Sequence, residues 1–394
     1  MLLPRLSLIG SFAFHGATSA RRICPAFRGG PGSSSLFRLH CALGLTSFSS
    51  SSTTINTTTT TTTTTTTVVS SSRNKMSASD QQMEQQQQQV TKVVAGVRDL
   101  CDRYDGFILD QFGVLHDGKD ALPGAVECLE ELRSKGKRLV ILSNTSKREA
   151  FTMGRLPKYG FKSDLFDGGV TSGEEGYRHL VRSGLVGGKA VLLGWNGEDS
   201  DGFLQALALD YSSPQEATFL LCHGPDNIVD DTGPTRTGTR NSGSVEPYEG
   251  VFQARAAIDR GLPMYNVNPD ITVNNPEGGL WFMPGLLAKR YEAMGGRVQY
   301  FGKPHQEHYE AAVAKMGLDK TRVVHVGDSL AHDILGADST GLDSIFIAGG
   351  ISGEELGVDA RAGTPPFHLE TAALDKLFVK EGVTPTWTMP LFSL

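Results

Sequence analysis

From residue 90 to the end of the chain, short apolar runs alternate with longer amphipathic segments, and this alternation restricts the possible folds more than any other feature. Apolar runs of a few residues are typical of buried strands, whereas apolar residues spaced three or four apart are typical of helices. Residues 124–135, for example, place Ala125, Cys128 and Leu132 on one helical face. Repeated strand–helix–strand units predict an α/β fold with a parallel sheet covered on both faces.

The pattern assigns most of the chain to regular elements. The predicted strands are 107–110, 138–144, 189–195, 217–223, 263–267, 298–303, 323–328 and 344–348. The predicted helices are 124–135, 146–159, 203–209, 251–259, 307–316 and 332–339. Residues 231–245 are rich in Gly, Thr and Arg without any period, and we expect them to form a long surface loop.

Four of the predicted strands end in residues that can take part in chemistry. Asp110 ends the first, Ser143 and Asn144 the second, Lys303 a later one, and Asp328 the next. Ligands of parallel α/β sheets bind outside the carboxyl ends of the strands. A single polar residue at a strand end is usually structural, but four such ends with different chemistries predict a common site.

The order of these segments resembles the four motifs of haloacid dehalogenase (HAD) superfamily hydrolases. The segments are 110–118 (DQFGVLHDG), Ser143-Asn144, Gly302-Lys303-Pro304, and Gly327-Asp328-Ser329 through Asp333. The long gap between the second and third motifs looks like the large cap of the class IIA branch, as do Asn268-Pro269-Asp270 and Pro284-Gly285. The string 110–118 is also similar to a poorly characterised plant and bacterial subgroup of that branch.

This resemblance implies a division of the chain into domains. We expect a Rossmann-like HAD core with a parallel sheet, formed by residues 90–173 and 286–394. An inserted α/β cap domain would occupy residues 174–285. Residues 1–89 would precede the folded body as a leader.

The resemblance also implies a phosphatase that uses Mg²⁺ and an aspartyl-phosphate intermediate. Asp110 would be the nucleophile, Lys303 would hold the phosphate, and Ser143 with the Asn144 backbone would donate hydrogen bonds to phosphoryl oxygens. Because a dianionic phosphate repels a carboxylate, a divalent cation must bridge them. The ligands implied for Mg²⁺ are Asp110, the Phe112 carbonyl, Asp328 and, in an assisting role, Asp333.

Substrate choice is expected to depend on the cap. Residues 195–201 and 268–275 are the cap segments expected to face the site, with Asn268 and Asp270 as substrate-binding residues. The part of the chain after residue 79 is acidic and disfavours polyanionic substrates, so the expected substrate is a small phosphorylated metabolite. Caps of this kind often pair, so a homodimer is possible. The aromatic residues Trp195, Tyr265, Trp281 and Phe282 are more typical of a core than of a substrate pocket.

Phe112 departs from the family pattern. Phosphatases of this superfamily usually carry a second aspartate there, which protonates the leaving alcohol and then activates water; a phenyl ring can do neither. The protein could be a slow phosphatase whose proton is moved by the leaving group, by water or by His116, which could equally be an exposed loop residue. Alternatively it could be a catalytically impaired metabolite-binding or regulatory protein. A dehalogenase, which needs no such acid, fits less well because the Asp328 and Asp333 pattern is that of a metal site.

Charge is distributed unevenly along the chain. Residues 1–79 contain seven basic residues and no acidic ones, so all 43 acidic residues lie in the remainder. An acidic body argues against a nucleic-acid partner, which requires a basic surface. No apolar run approaches the length of a membrane span, so we expect no membrane partner.

The leader has the composition of a targeting segment rather than of a fold. Residues 1–75 are rich in Ser, Thr and Arg, which is typical of a transit peptide to the mitochondrion or plastid. The runs of threonine at 57–67 and of glutamine at 85–89 cannot bury apolar surface. If translation starts at Met76, the expected location is instead the cytoplasm.

Overall fold

The computed structural model describes residues 90–197, 199–253, 257–275, 277–361 and 368–394, all within one compact unit that spans residues 74–394. The expected leader lies outside these described residues. The strands are β1 (Lys92–Val93), β2 (Gly106–Leu109), β3 (Arg138–Ser143), β4 (Gly168–Thr171), β5 (Lys189–Gly194), β6 (Asp210–Tyr211), β7 (Phe219–Cys222), β8 (Asn227–Asp230), β9 (Gly233–Arg236), β10 (Pro263–Asn266), β11 (Thr272–Asn274), β12 (Leu280–Phe282), β13 (Arg297–Tyr300), β14 (Val323–Gly327), β15 (Asp343–Ile347) and β16 (Trp387–Met389).

Helices connect most of these strands. They are α1 (Ala125–Ser134), α2 (Glu149–Arg155), α3 (Ser172–Arg182), α4 (Phe203–Leu207), α5 (Thr239–Ser242), α6 (Glu246–Gln253), α7 (Pro284–Ala293), α8 (Gln306–Met316), α9 (Leu335–Thr340), α10 (Gly353–Leu356) and α11 (Thr371–Glu381). Short 3-10 turns occur at Val97–Leu100, Leu156–Tyr159, Ser163–Leu165 and Lys320–Arg322, and a π-helical turn, Leu330–Ile334, precedes α9. No helix in the described part of the chain is both long and apolar enough to cross a membrane.

The first sheet contains seven strands in the order β1-β16-β15-β14-β2-β3-β4, and every neighbouring pair is parallel. Successive side chains of a strand point to opposite faces. Accordingly, Phe107 and Leu109 of β2 pack in one buried cluster and Ile108 packs in another. Both faces of the sheet are therefore covered, and the predicted α/β fold with a parallel sheet is confirmed.

The second sheet follows the order β13-β10-β7-β5-β8-β9, with β6 also pairing with β5. Its strands β13, β10, β7, β5 and β6 are parallel, whereas β8 and β9 are antiparallel additions at one edge. Leu193 and Leu192 of β5 pack in different buried clusters, so this sheet is also covered on both faces. A separate antiparallel hairpin joins β11 and β12.

Strand β13 corrects the expected end of the insertion. Residues 297–300 pair with β10 of the second sheet, beyond the boundary expected at residue 285. The strand expected over 298–303 was assigned to the core because its apolar pattern does not reveal which sheet it joins. It ends at Tyr300, after which Phe301 N donates to Asn266 O at 3.0 Å. The division into core and cap otherwise stays a prediction.

The long loop expected over 231–245 is wrong in large part. Residues 233–236 form β9 and residues 239–242 form α5. The hairpin between β8 and β9 turns at Asp230, whose carboxylate accepts from Thr232 N at 2.9 Å. Most of β9 is exposed at a sheet edge, so its composition carries no apolar alternation that could have revealed it.

Three predicted helices differ in extent. The one expected over 146–159 begins only at Glu149 and tightens into a 3-10 turn at Leu156, next to Pro157, which lacks a backbone donor. The one expected over 251–259 lies earlier, at Glu246–Gln253. The one expected over 332–339 starts with the π-helical turn Leu330–Ile334.

Candidate active site

Three neighbouring strands of the first sheet bring their terminal residues together. Strand β2 lies between β14 and β3, so Asp110 follows β2 with Asp328 on one side and Asn144 on the other. The backbone of Asp110 is fixed because its N–H donates to Val326 O at 2.9 Å. This meeting of carboxyl ends is the arrangement expected from the motif order.

Lys303 reaches the same place by a different route. It follows β13 of the second sheet and precedes α8, so it enters from the connection between the sheets. Gly302 has φ +111°, and a Cβ there would overlap Oδ1 of Asn144. The side chain of Asn144 holds the Lys303 backbone: its Oδ1 accepts from Lys303 N at 2.7 Å and its Nδ2 donates to Lys303 O at 3.1 Å.

The ammonium group of Lys303 lies between two carboxylates. Its Nζ is 2.7 Å from Oδ1 of Asp110 and 2.8 Å from Oδ1 of Asp333. The lysine side chain is only 3% exposed, so both ion pairs are shielded from water. A buried ammonium needs such partners, because an unpaired buried charge is costly.

Three donors hold the carboxylate of Asp333 in place. His325 Nε2 donates to its Oδ1 at 2.8 Å, and Ser329 N donates to its Oδ2 at 3.0 Å. Both Asp333 and His325 are fully buried. With Lys303 as a third donor, Asp333 serves to fix the position of the lysine, and this second role is not evident from the sequence.

The buried charges shift one another's proton affinities. Burial raises the pKa of Asp110 to about 7, although Lys303 opposes the rise. Burial, together with the charges of Asp110 and Asp333, raises the pKa of Asp328 well above its ordinary range. Burial alone would lower the pKa of Lys303, but the two carboxylates raise it above its ordinary value. The pKa of Asp333 is below its ordinary value because Lys303 and His325 outweigh the effect of burial.

The donor set fits a small, hard divalent cation. Asp110, Asp328 and Asp333 each offer a carboxylate oxygen, and these three oxygens all lie within 4.8 Å of one another. Mg²⁺ prefers carboxylate, carbonyl and water oxygens. Asp328 accepts from Ile351 N at 2.7 Å through Oδ2, which leaves Oδ1 for a cation. A positive charge there would oppose the effects of burial and of the neighbouring carboxylates, which raise the pKa of Asp110 and Asp328.

The segment after Asp110 packs tightly against Asp328. Gly113 has φ +82°, and a Cβ at this position would overlap the Asp328 carboxylate, so only glycine fits. Phe112 lies on the wall of the small cavity, about 80 Å³, that also contains Asp110, Ser143 and Lys303. Ser143 is therefore where the sequence predicted it, whereas the side chain at position 112 contributes no group that can carry a proton.

His116 is not the exposed loop residue that one interpretation expected. It is 6% exposed and stacks on Tyr159 with ring centroids 4.0 Å apart. Burial lowers the pKa of His116 to about 4. Gly118 N donates to its Nδ1 at 3.1 Å, which places the ring hydrogen on Nε2. His116 is thus a neutral donor in a cavity wall, and this arrangement disfavours it as the base that activates water.

The cap segment around Asp270 contacts the core at the site. Asn144 Nδ2 donates to Asp270 Oδ1 at 2.8 Å, and His332 Nδ1 lies 3.4 Å from the same oxygen. Asn268 is almost fully buried, and its Oδ1 accepts from Asp270 N at 3.1 Å. Asp270 thus lies in the small cavity, while Asn268 lines an adjoining cavity and shapes the turn that presents Asp270.

A larger cavity of about 380 Å³ continues from the small one. Trp195 and Trp281, for which the sequence favours a place in a core, line this cavity instead and are only half-buried. Trp195 is held by a hydrogen bond from its Nε1 to Ser146 Oγ at 2.8 Å. Tyr265, in contrast, does pack against a hydrophobic cluster. Sequence pattern could not separate these aromatic residues, because each lies in or next to a short apolar run.

Comparison with known proteins agrees with this geometry. Residues 107–202 match a family described as haloacid dehalogenase-like hydrolase, and residues 300–369 match one described as HAD-hydrolase-like. The 4-nitrophenylphosphatase of Schizosaccharomyces pombe is 26% identical, over 70% of this chain and 94% of that protein. Chronophin of Homo sapiens is 28% identical, over 71% of this chain and 94% of that protein.

A solved structure shares the fold over most of the body. The haloacid dehalogenase-like hydrolase from Brucella suis 1330 superposes with a TM-score of 0.58 at 26% identity, covering 76% of this chain and 99% of that chain. The resemblance inferred from the motifs is thereby confirmed at the level of the superfamily branch, while the subgroup suggested by residues 110–118 stays a prediction. In its motifs, its two matched segments and its fold, the chain is similar to the haloacid dehalogenase-like hydrolases of the class IIA branch.

Proposed function

We propose that this protein is an Mg²⁺-dependent phosphatase that cleaves a small phosphomonoester through an aspartyl-phosphate on Asp110. The observation that carries the proposal is the Lys303 ammonium group, buried between Asp110 and Asp333 beside Asp328. Relatives named as phosphatases support the coarser statement that it is a phosphoric monoester hydrolase. The finer points, namely the metal, the intermediate and the rate, rest on the geometry.

The proposed reaction has two steps. An Asp110 carboxylate oxygen attacks phosphorus, the bond from phosphorus to the alcohol oxygen breaks, and the alcohol oxygen leaves with the electron pair and takes a proton from water. Water then attacks the same phosphorus, the bond from phosphorus to Asp110 breaks, and inorganic phosphate is released with the carboxylate restored.

Each side chain has a definite task. Lys303 pairs with the phosphoryl oxygens and lowers the cost of bringing a dianion to Asp110, while Ser143 and the Asn144 backbone donate hydrogen bonds to the same oxygens. Asp333 keeps Lys303 oriented. Mg²⁺, held by Asp110, the Phe112 carbonyl and Asp328 with assistance from Asp333, would offset the repulsion between phosphate and carboxylate.

Phe112 sets the expected limit of the reaction. General acid–base help is worth about 10² to 10⁴ in rate, and position 112 supplies none. We therefore expect slow turnover, and a strong preference for esters whose leaving group needs little protonation. Pairing of two copies and targeting by residues 1–75 are separate proposals.

The test is a phosphomonoester panel with the full chain and Mg²⁺, including p-nitrophenyl phosphate and an alkyl phosphate. Wild type should release phosphate, fastest from p-nitrophenyl phosphate, and Asp110→Asn should release none. Asp99→Asn, which alters an exposed carboxylate outside the site, should behave as wild type. Wild-type protein that binds Mg²⁺ and phosphate but hydrolyses no ester would instead be a metabolite-binding protein.

A further inference from the structure

The larger cavity is the place where the alcohol part of a substrate would lie. It shares Phe112, Ser143, Asn144 and Asp270 with the small cavity that contains Asp110 and Lys303. Another space, of about 680 Å³, also borders the small cavity, but Ser143 and Asn144, which would bind the phosphoryl oxygens, line only the first of the two. A phosphate held at Asp110 would therefore have its ester substituent directed into the cavity of about 380 Å³. The side chains that line this space determine which alcohols can be accommodated.

Arg240 is the most distinctive of these side chains. It comes from α5, within the segment that the sequence suggested was a loop, and its guanidinium carbon lies 3.9 Å from the ring centroid of Trp281 and 5.5 Å from that of Trp195. Its Nε is buried without a hydrogen-bond partner among the described residues. Stacking on an indole fixes the plane of the guanidinium group but leaves its N–H groups free to bind an acceptor.

Arg155 provides a second positive charge in the lining of the same cavity. It donates to Tyr159 Oη at 3.0 Å. Burial is the main reason for the low pKa of His116, and the nearby positive charge of Arg155 lowers that pKa further. Neither Arg155 nor Arg240 forms an ion pair within the described residues, whereas Lys147 on this wall is paired with Asp201 at 3.2 Å.

Negative charge on this wall is scarce. Asp270 is the carboxylate that lines the cavity within the described part of the chain, and it already accepts a hydrogen bond from Asn144. The cavity is thus locally positive although the chain has a formal net charge of −6. Whole-chain charge governs long-range attraction, but groups within a few ångströms govern binding inside a cavity.

We propose that the alcohol part of the substrate carries an anionic oxygen group, a carboxylate or a second phosphate, that binds Arg240 with Arg155 nearby. This proposal rests on the proposed function, since it assumes that the phosphate lies at Asp110. It reverses the expectation, drawn from overall charge, that polyanionic substrates are disfavoured. Guanidinium groups bind carboxylates and phosphates through two parallel N–H donors, which gives the pairing its strength and direction.

Binding of two phosphonates that cannot be hydrolysed, benzylphosphonate and 4-carboxybenzylphosphonate, tests the proposal directly. With Mg²⁺ present, the full chain should bind the carboxylated compound about tenfold more tightly in calorimetric titrations. Arg240→Gln should lose this advantage while keeping its affinity for benzylphosphonate. Arg236→Gln, an exposed arginine on β9 that does not line the cavity, should keep both affinities.

Two results would overturn the proposal. The first is equal binding of both compounds by wild type. The second is an undiminished preference in Arg240→Gln, including equal weakening of both compounds, because the role of Arg240 would then not be specific to the anionic group. Hydrolysis of phenyl phosphate and 4-carboxyphenyl phosphate is measured in parallel. If neither ester is cleaved, the proposed function fails, while the phosphonate titrations still decide the role of Arg240.

Discussion

The ammonium nitrogen of Lys303 lies 2.7 Å from Oδ1 of Asp110, although the two residues come from connections of different sheets. Asn144 fixes the lysine backbone and Asp333 fixes its side chain. The distance between Lys303 and Asp110 is therefore set by these two neighbours as well, and not by two flexible side chains alone. Such preorganised charge next to a carboxylate is what phosphoryl transfer requires, because little else has to be supplied by the protein.

Asp328 should be a principal metal ligand. Asp328→Asn removes one charged oxygen but preserves the shape of the side chain, so we expect Mg²⁺ affinity to fall by about tenfold or more. Calorimetric titration with Mg²⁺ measures this. Glu355→Gln, which changes an exposed carboxylate on α10, is the matched control. Identical Mg²⁺ affinity in wild type and Asp328→Asn would remove Asp328 from the site.

Phe112 should determine which esters are cleaved. In Phe112→Asp a carboxylate on the cavity wall could protonate the leaving alcohol, so we expect turnover of an alkyl phosphate to rise by about 10². Turnover of p-nitrophenyl phosphate should rise less, since its leaving group needs little protonation. Steady-state rates of wild type and Phe112→Asp on both esters measure the effect. Wild-type protein that cleaves alkyl and aryl esters equally fast would show that another group already moves the proton.

Strands β2, β3 and β14 of the first sheet and part of the site could be predicted from the sequence, because each of the family motifs in this region lies at the end of an apolar run. Asp110, Ser143 and Asp328 could be located because their strands are buried on both faces, which gives a continuous apolar signal. Lys303 was recognised as a site residue, but its strand was assigned to the wrong sheet, because strand pairing is a long-range property.

Two features of the larger cavity were missed for a different reason. Arg240 lies in a short helix on a mostly exposed segment, where composition resembles that of a loop, and nothing in the sequence signals its stacking on Trp281. The burial of His116 depends on Tyr159, which is far from it in the sequence and contacts it only after folding. Contacts of this kind are not encoded in local periodicity.

His223 should make stability depend on pH. Burial lowers its pKa to about 3 from an ordinary value of 6.5, so between these values the unfolded chain binds the extra proton and folding is disfavoured as pH falls. Between pH 7.5 and pH 5, this group should reduce the free energy of unfolding by about 2 kcal/mol. Urea unfolding at both pH values should show that loss in wild type.

Comparison with variants isolates the contribution of His223 from that of other titrating groups. His223→Gln should lose about 2 kcal/mol less than wild type over the same pH change. His368→Gln, which alters a largely exposed histidine, should leave the dependence unchanged. Parallel pH dependence in wild type and His223→Gln would show that this imidazole is charged in the folded protein.

The leader should act separately from the enzyme body. We propose that residues 1–75 direct the protein to an organelle, the mitochondrion ahead of the plastid because of the early arginines. A fluorescent reporter fused to residues 1–75 should therefore concentrate in that organelle. The matched control carries the same segment with its arginines changed to alanine, and it should stay diffuse. Diffuse signal from the unaltered segment would favour translation from Met76.

The central claim, that Asp110 carries the phosphoryl group, is tested most directly by trapping the intermediate. Because Phe112 cannot activate water, the second step should be slow, and acid quenching during turnover of p-nitrophenyl phosphate with Mg²⁺ should capture phosphorylated protein. Peptide mass spectrometry should place the phosphate on Asp110 in wild type and find none in Asp110→Asn. Release of p-nitrophenol without phosphate on Asp110 at any time of quenching, or continued turnover by Asp110→Asn, would contradict the account.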